Sequence, residues 1–254
     1  MKLFDITGKV AIVTGGNGGI GLGMAKGMAS IGAAIVVAGR NADKAKTALE
    51  TLRGMGARAE FVSVDVTRQD QCIRMVADAM AAFGRVDILI NNAGMSVRKR
   101  PEDLSEAEWH LVMDTNLTSA FLCSKAVYEP MKQVGGGKII NIGSMMSLFG
   151  TAYASPYASS KGGIVQMTRS FASAWARDNI QVNAILPGWI DTELTQNARS
   201  QVEGLYDNVL NRTPTGRWGV PDDLSGIAAF LAAPASNFVT GTAIPVDGGF
   251  SMQG

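Results

Sequence analysis

The chain is poor in the side chains that metal and thiol chemistry use. Its 254 residues hold one histidine, His110, and two cysteines, Cys72 and Cys123. A zinc site or a Ser-His-Asp triad would have to be built on His110, and nothing in "EAEWHLVMD" stands at ligand spacing, so a structural role is expected for it. Two cysteines in ordinary segments point to free buried thiols in a reducing compartment rather than to a disulfide. Neither sign of charge is in excess. With 23 Lys plus Arg against 22 Asp plus Glu, the net charge is +1, which offers no field for nucleic acid or a membrane surface. There is no run of about twenty apolar residues and no charged start leading to an apolar stretch and cleavage site. A soluble, cytoplasmic chain is therefore expected. Linkers, repeats and low-complexity tracts are also missing, so residues 1–254 are expected to form a single domain.

What is present is alternation. Seven apolar runs of strand length occur: "KVAIVTG" (9–15), "AAIVVAG" (33–39), "AEFVSVD" (59–65), "VDILINNAG" (86–94), "GKIINIGS" (137–144), "IQVNAILPG" (180–188) and "TAIPVDGG" (242–249). Several are nearly continuous in Val and Ile, as strands buried on both faces of a parallel sheet are. Helical candidates separate them at 19–31, 42–55, 68–83, 115–133, 157–177 and 221–232, with Thr67 expected as the N-cap of the third. The pattern predicts an α/β fold: a Rossmann-type, doubly wound, seven-stranded parallel sheet in three α/β/α layers. Residues 189–218 show no clear strand and suit a flap over a site.

The first strand runs into "TGGNGGIGLG", residues 14–23, at the start of the first helix. Glycines there allow positive φ and let a pyrophosphate approach the positive end of the helix. Two registers fit. Gly16, Gly18 and Gly21 spell G-x-G-x-x-G, while Gly15, Gly19 and Gly21 spell T-G-x-x-x-G-x-G. Strand, loop and helix come in the order a dinucleotide site requires. The second strand ends in Gly39 and Arg40, with no carboxylate before Asp43. An acidic residue there would select NAD(H). An arginine makes a forked contact with a 2′-phosphate. NADP(H) is favoured, with NAD(H) as the alternative.

The fifth strand ends at Ser144, thirteen residues before Tyr157, and Lys161 follows Tyr157 by four. On a helix, residues i and i+4 share a face. The carboxyl ends of strands are where a doubly wound sheet presents its chemistry. A free tyrosine, with a pKa near ~10, is a poor base at neutral pH. A lysine ammonium ~4 Å away contributes about 4 kcal/mol at an effective dielectric of about 20. That lowers the tyrosine pKa by about three at roughly 1.4 kcal/mol per pH unit, less what burial takes back. Tyr157 could then exchange a proton with a substrate oxygen that Ser144 positions. Two rivals are weaker. Tyr153 has no lysine four residues on, and Ser147 sits further past the strand end.

The motifs T-G-x-x-x-G-x-G at 14–21, "NNAG" at 91–94, Asn116 in "TNLTSAF", Ser144, "YASSK" at 157–161 and "PGWIDT" at 187–192, in this order, resemble the classical short-chain dehydrogenase/reductase family. The likeness runs from Thr7 to Gly249. It implies the seven-stranded sheet, a nicotinamide cofactor and a homotetramer. It also implies a catalytic set of Asn116, Ser144, Tyr157 and Lys161, with Lys161 on the nicotinamide ribose and Asn116 on a water-linked proton path. Cofactor contacts carried over by the likeness are Gly15, Asn17, Gly18, Gly19, Ile20 and Gly21 in the loop. Asp65 and Val66 flank the adenine, and Asn92, Ala93 and Gly94 lie beneath the ribose. Pro187, Gly188, Ile190 and Thr192 receive the carboxamide. Asn91 is equally a structural tie between strands. Many NADP-preferring relatives carry a basic residue where Gly18 stands, so here Arg40, with Asn17 or Asn41, would hold the 2′-phosphate.

"SVRKR", 96–100, follows the "NNAG" strand, and Arg98 could meet a carboxylate. Met145, Met146, Tyr153, Trp189 and Trp218 could supply a pocket wall. Segments such as "GKIINIGSM" and "RTPTGRWGVPDDL" resemble the gluconate 5-dehydrogenase and 2-deoxygluconate dehydrogenase branch of the family. The expected activity is therefore NADP(H)-dependent interconversion of a secondary alcohol and a ketone on a sugar, sugar acid or polyol. Two alternatives stand beside it. One is reduction of a β-ketoacyl chain on an acyl carrier protein, for which the net charge offers little. The other is a non-enzymatic cofactor-binding regulator, against which the intact catalytic set argues.

Overall fold

The computed structural model describes residues 2–252. Seven parallel strands form one sheet in the order β3-β2-β1-β4-β5-β6-β7. They are β1 (Val10–Thr14), β2 (Ala34–Gly39), β3 (Ala59–Ser63), β4 (Ile88–Asn91), β5 (Gly137–Ile142), β6 (Ile180–Pro187) and β7 (Ala243–Val246). All seven runs expected to be strands form strands, each trimmed at one or both ends. The order reverses between β1 and β4, where Ala11 pairs with Ile88 and Val13 with Ile90. A doubly wound sheet opens its ligand crevice at such a point.

The helices among the described residues are α1 (Gly19–Ala29), α2 (Ala42–Gly54), α3 (Gln69–Phe83), α4 (Glu106–Met113), α5 (Ser119–Gln133), α6 (Ser155–Trp175), α7 (Glu193–Gln201), α8 (Leu205–Arg212) and α9 (Ser225–Ala232). Period-two alternation sorts the sheet into two cores. Ala11, Val13, Ile35, Val37, Ile88 and Ile90 face α1, α2 and α9, packing on Met24, Met28, Leu52 and Leu231. Val10, Ile12, Val36, Leu89 and Ile139 face α3, α5 and α6, packing on Met75, Val76, Val127 and Met131. Each such fully buried aliphatic side chain contributes roughly 1.5–3 kcal/mol. The edge strands β3 and β7 are only partly covered.

Two local expectations are corrected. Helix α3 starts at Gln69 with Arg68 as its N-cap, because the Thr67 hydroxyl donates to Asp65 Oδ1 at 2.7 Å instead of capping the helix. The segment before Asn116 was not expected to be helical, yet it holds α4, which opens with a reciprocal Ser105–Glu108 capping box. Residues 189–218, read as free of a clear strand, contain α7 and α8. Cys72 and Cys123 are free and buried, with sulfurs 3.6 Å apart. His110 lies on exposed α4, 3.6 Å from Glu106.

Candidate active site

The glycine loop resolves its own register. Gly15 and Gly19 have φ of +65° and +49°, a region that favours glycine. Gly18 is extended, with φ 175°, so T-G-x-x-x-G-x-G is the operative pattern. Gly21 is required by close approach, since a Cβ there would stand 2.4 Å from the Gly15 carbonyl oxygen. Asn92 pins the loop by donating from Nδ2 to Thr14 O at 3.0 Å and Gly15 O at 3.2 Å. The Thr14 hydroxyl, unnoticed in the sequence, accepts from the backbone N–H groups of Asn92 and Ala93. It thereby ties β1 to β4 at the switch point. Asn91 is structural: its Nδ2 donates to Ser124 Oγ at 2.9 Å and to Asn141 Oδ1 at 2.8 Å.

Asn116 owes its place to a turn of π-helix, residues 114–118, between α4 and α5. Such turns are frequent at functional sites. Its Oδ1 accepts from Met95 N at 2.8 Å, and its Nδ2 donates to Met95 O at 2.9 Å and to Ser160 Oγ at 3.0 Å. Two glycines make this proximity affordable in space. A Cβ at Gly163 would stand 2.7 Å from Leu117, and one at Gly94 would stand 3.2 Å from Asn116 Oδ1 and 3.6 Å from Lys161 Nζ.

Helix α6 starts with Ser155 and Pro156, a proline at a position where its missing N–H costs nothing. Tyr157 sits in its first turn and Lys161 one turn later. The Lys161 ammonium is buried, donates to Ile142 O at 2.7 Å and lies 5.6 Å from the Tyr157 ring centroid. Burial pushes Lys161 down to about 8. Burial also pushes the Tyr157 phenol above its ordinary value, against a smaller opposing pull from the Ser144 hydroxyl. The expected lowering of Tyr157 by Lys161 is thus not found: the ammonium is turned to a carbonyl, and desolvation wins. The Ser144 hydroxyl accepts from Met146 N at 3.1 Å. Ser147 is committed elsewhere, donating to Lys161 O at 2.7 Å.

Two cavities meet at this point. The smaller, about 280 Å³, is walled by Asn17, Gly18, Gly19, Ile20, Asn92, Gly94, Pro187, Gly188, Ile190, Thr192 and Lys161. The larger, about 440 Å³, is walled by Ser96, Arg98, Met145, Met146 and Trp189, and by Leu194, Asn197 and Gln201 of α7. Ser144 and Tyr157 line both. Asn116 lines neither wall but shares the Gly94 neighbourhood with Lys161. Arg40, Asp65 and Val66 lie further out, at the ends of β2 and β3. Asp65 accepts from Thr67, which holds its carboxyl below the usual carboxylate value. Arg40 and Arg98 form no ion pair among the described residues.

Two expected wall residues are not brought together with the catalytic set. Tyr153 is about half exposed and borders an adjoining cavity with Val202 and Glu203, which shares Arg98 and Gln201 with the larger one. Trp218 is buried behind the wall, edge-on to Trp189 at 5.5 Å and stacked on Tyr206 at 5.7 Å. Asn197 and Gln201 escaped sequence reading because α7 is too polar to show an apolar stripe.

A family profile described as enoyl-(acyl carrier protein) reductase matches residues 15–251. The 2-dehydro-3-deoxy-D-gluconate 5-dehydrogenase of Escherichia coli (strain K12) is 41% identical over 98% of this chain and 98% of its own. The chain belongs to this family, the short-chain dehydrogenases/reductases. A second relative of this short-chain dehydrogenase/reductase is the gluconate 5-dehydrogenase of Gluconobacter oxydans (strain 621H), 40% identical over 99% of this chain and 98% of that protein. The crystal structure of a gluconate 5-dehydrogenase from Burkholderia cenocepacia J2315, in complex with NADP and tartrate, superposes with a TM-score of 0.94. It shares 39% identity and covers 100% of this chain and 99% of that one. The oxidoreductase fold expected from the sequence is thereby established. No helix among the described residues is long and apolar enough to cross a membrane.

Proposed function

We propose that this short-chain dehydrogenase/reductase is an NADP(H)-dependent oxidoreductase that interconverts a secondary alcohol and a ketone on a sugar acid or related polyol. The observation that carries the reading is the shared wall: Ser144 and Tyr157 line both cavities, with Lys161 buried one turn behind. The residues fit the cofactor. Gly18 caps α1 without any side-chain bond, a Cβ at Gly18 would meet nothing, and the loop therefore offers open backbone at a positive helix end. Gly15, Asn17, Gly18, Gly19, Ile20 and Gly21 would hold the pyrophosphate, and Arg40 the 2′-phosphate. Asp65, Val66, Ala93 and Gly94 would border the adenosine, with Asn92 shaping the floor. Pro187, Gly188, Ile190 and Thr192 would meet the carboxamide. When bound, the nicotinamide dinucleotide supplies or accepts hydride.

The chain's own groups manage the oxygen. Ser144 hydrogen-bonds the substrate oxygen, and Tyr157 gives it a proton in reduction or takes one in oxidation. With its phenol raised by burial, Tyr157 is a proton donor at neutral pH. Lys161 holds positive charge beside the phenol, while Asn116, which shares the Gly94 neighbourhood with it, is fixed by the Met95 backbone and Ser160. Arg98, Met145 and Trp189 line the larger cavity, and an unpaired guanidinium there suits a carboxylate. Relatives acting on gluconate and deoxygluconate derivatives support the sugar acid. The carrier-protein alternative is weakened because Lys99 pairs with Glu108 and Arg100 with Glu102, which neutralises the basic tract.

The same proposal takes the chain as one domain, with residues 189–218 as a flap over the larger cavity. It also takes the enzyme as a cytoplasmic homotetramer. Partly exposed Phe121, 6.3 Å from Phe171, and fully exposed Phe238 support self-association. The test is consumption of NADPH and NADH with keto-sugar acids, neutral ketoses and a β-ketoacyl thioester. Turnover of the keto acids with NADPH is expected, and turnover of the thioester alone would overturn the reading.

A further inference from the structure

Lys44 of α2 and Glu193 of α7 are 149 residues apart and form an ion pair. Both line the smaller cavity, together with Gly18, Gly19 and Tyr157, so their side chains bridge it from one bank to the other. The bridge stands beside the glycine loop. Thr192, next to Glu193, is near enough that a Cβ on Gly19 would lie 3.4 Å from its Cγ2. With the bridge closed, the cavity measures about 280 Å³, just under the roughly 300–1,000 Å³ usual for ligand sites.

Lys44 is also oddly placed for a structural residue. Its backbone N–H donates to the Asn41 cap at 2.9 Å, which puts it in the first turn of α2. A cation there works against the helix dipole, whereas Glu193 in the first turn of α7 works with it. The pair is exposed, with side chains 51% and 74% accessible. Such a pair is weak, and salt or a competing anion breaks it readily.

We propose that Lys44 is a further cofactor-binding residue, kept across the cleft by Glu193 until the pyrophosphate of a nicotinamide dinucleotide takes over its ammonium. This rests on the NADP(H) reading above. Glu193 is then a competitor for Lys44, and its release frees the start of α7 from the opposite bank. Pyrophosphate is common to NADPH and NADH, so Lys44 serves both, unlike Arg40.

The test is fluorescence titration of NADPH and NADH on wild type, Glu193→Gln, Lys44→Gln and Lys44→Arg, with folding checked by circular dichroism. Glu193→Gln should tighten both dinucleotides by about two- to fivefold, the value of an exposed pair. Lys44→Gln should weaken both by about tenfold, as loss of a charged hydrogen bond does, and Lys44→Arg should restore binding. Unchanged affinities in both Gln variants would overturn the proposal, as would a loss confined to NADPH or a weakening by Glu193→Gln. Wild type binding neither dinucleotide would instead sink the cofactor reading on which it rests.

Discussion

At the amino end of the sheet, the buried Asp87 carboxylate accepts from Lys9, Val10 N and both arms of Arg85, at 2.6–3.0 Å. Nearby, buried Lys138 donates to Ser236 and Asn237. At the carboxyl end, buried Lys161 faces a backbone carbonyl and an aromatic ring, with no ion-pair partner among the described residues. Arg40 and Arg98 carry no ion pair among the described residues, and Trp189 Nε1 is buried without a partner. One end of the same strands has its polar groups satisfied, and the other leaves several open. Buried polar atoms without a partner cost stability, and the two such side-chain atoms among the described residues, Asn91 Oδ1 and Trp189 Nε1, both lie at the carboxyl end, which marks that edge as the working one.

Substitutions should therefore separate along the strands. The largest effect is expected from Tyr157→Phe, which should cut ketone reduction by about 10²–10⁴-fold. Its NADPH dissociation constant should move by less than about tenfold, the value of one hydroxyl hydrogen bond. Parallel loss of turnover and binding would erase the distinction between proton transfer and cofactor holding.

Asp87→Ala should show the opposite profile. Burial pushes Asp87 up, but Arg85, Lys9 and the Val10 N–H together hold its carboxyl below its ordinary value. Removing it should cost about 2–3 kcal/mol, less than a fully enclosed pair because Lys9 and Arg85 reach solvent. The melting temperature should drop by roughly 5–10 °C, with turnover per folded molecule unchanged. Because the folded carboxyl is the stronger acid, this stabilisation is complete at neutral pH and is lost as pH falls below about 4. A melt insensitive to Asp87→Ala would break the contrast.

A smaller effect concerns pH. The raised Tyr157 phenol must lose its proton before it can accept one from an alcohol, so oxidation should rise with pH by up to about tenfold per unit above neutrality. Reduction, which needs the protonated phenol, should hold steady and then decline. Rate profiles in both directions would check this, and an oxidation rate falling from pH 7 upward would contradict the acid-base assignment.

The sequence carried most of the scaffold, because β1, β2, β4, β5 and β6 are continuous Val- and Ile-rich runs with no competing period. It pointed to Ser144, Tyr157 and Lys161, which the fold brings together on the wall of the smaller cavity. Helix α4 was missed although the Ser105–Glu108 box was in view, because Trp109 and Leu111 point to solvent and leave no apolar stripe. Both glycine registers looked equal until φ distinguished Gly15 and Gly19 from Gly16 and Gly18. The Tyr157 shift had the wrong sign, since i, i+4 spacing gives proximity but not burial or the direction of an ammonium. The bonds of Thr14 to Asn92 and Ala93, and the pairing of Lys44 with Glu193, were invisible because the partners lie far apart in sequence.

The claim that unpaired cations at the carboxyl edge await an anionic ligand is tested most directly at Arg40. Fluorescence titration of NADPH and NADH on wild type and Arg40→Asp should show tighter NADPH binding that the substitution weakens by about 10–100-fold, with NADH little changed. Preference for NADH in wild type, or indifference of NADPH to Arg40, would contradict the account.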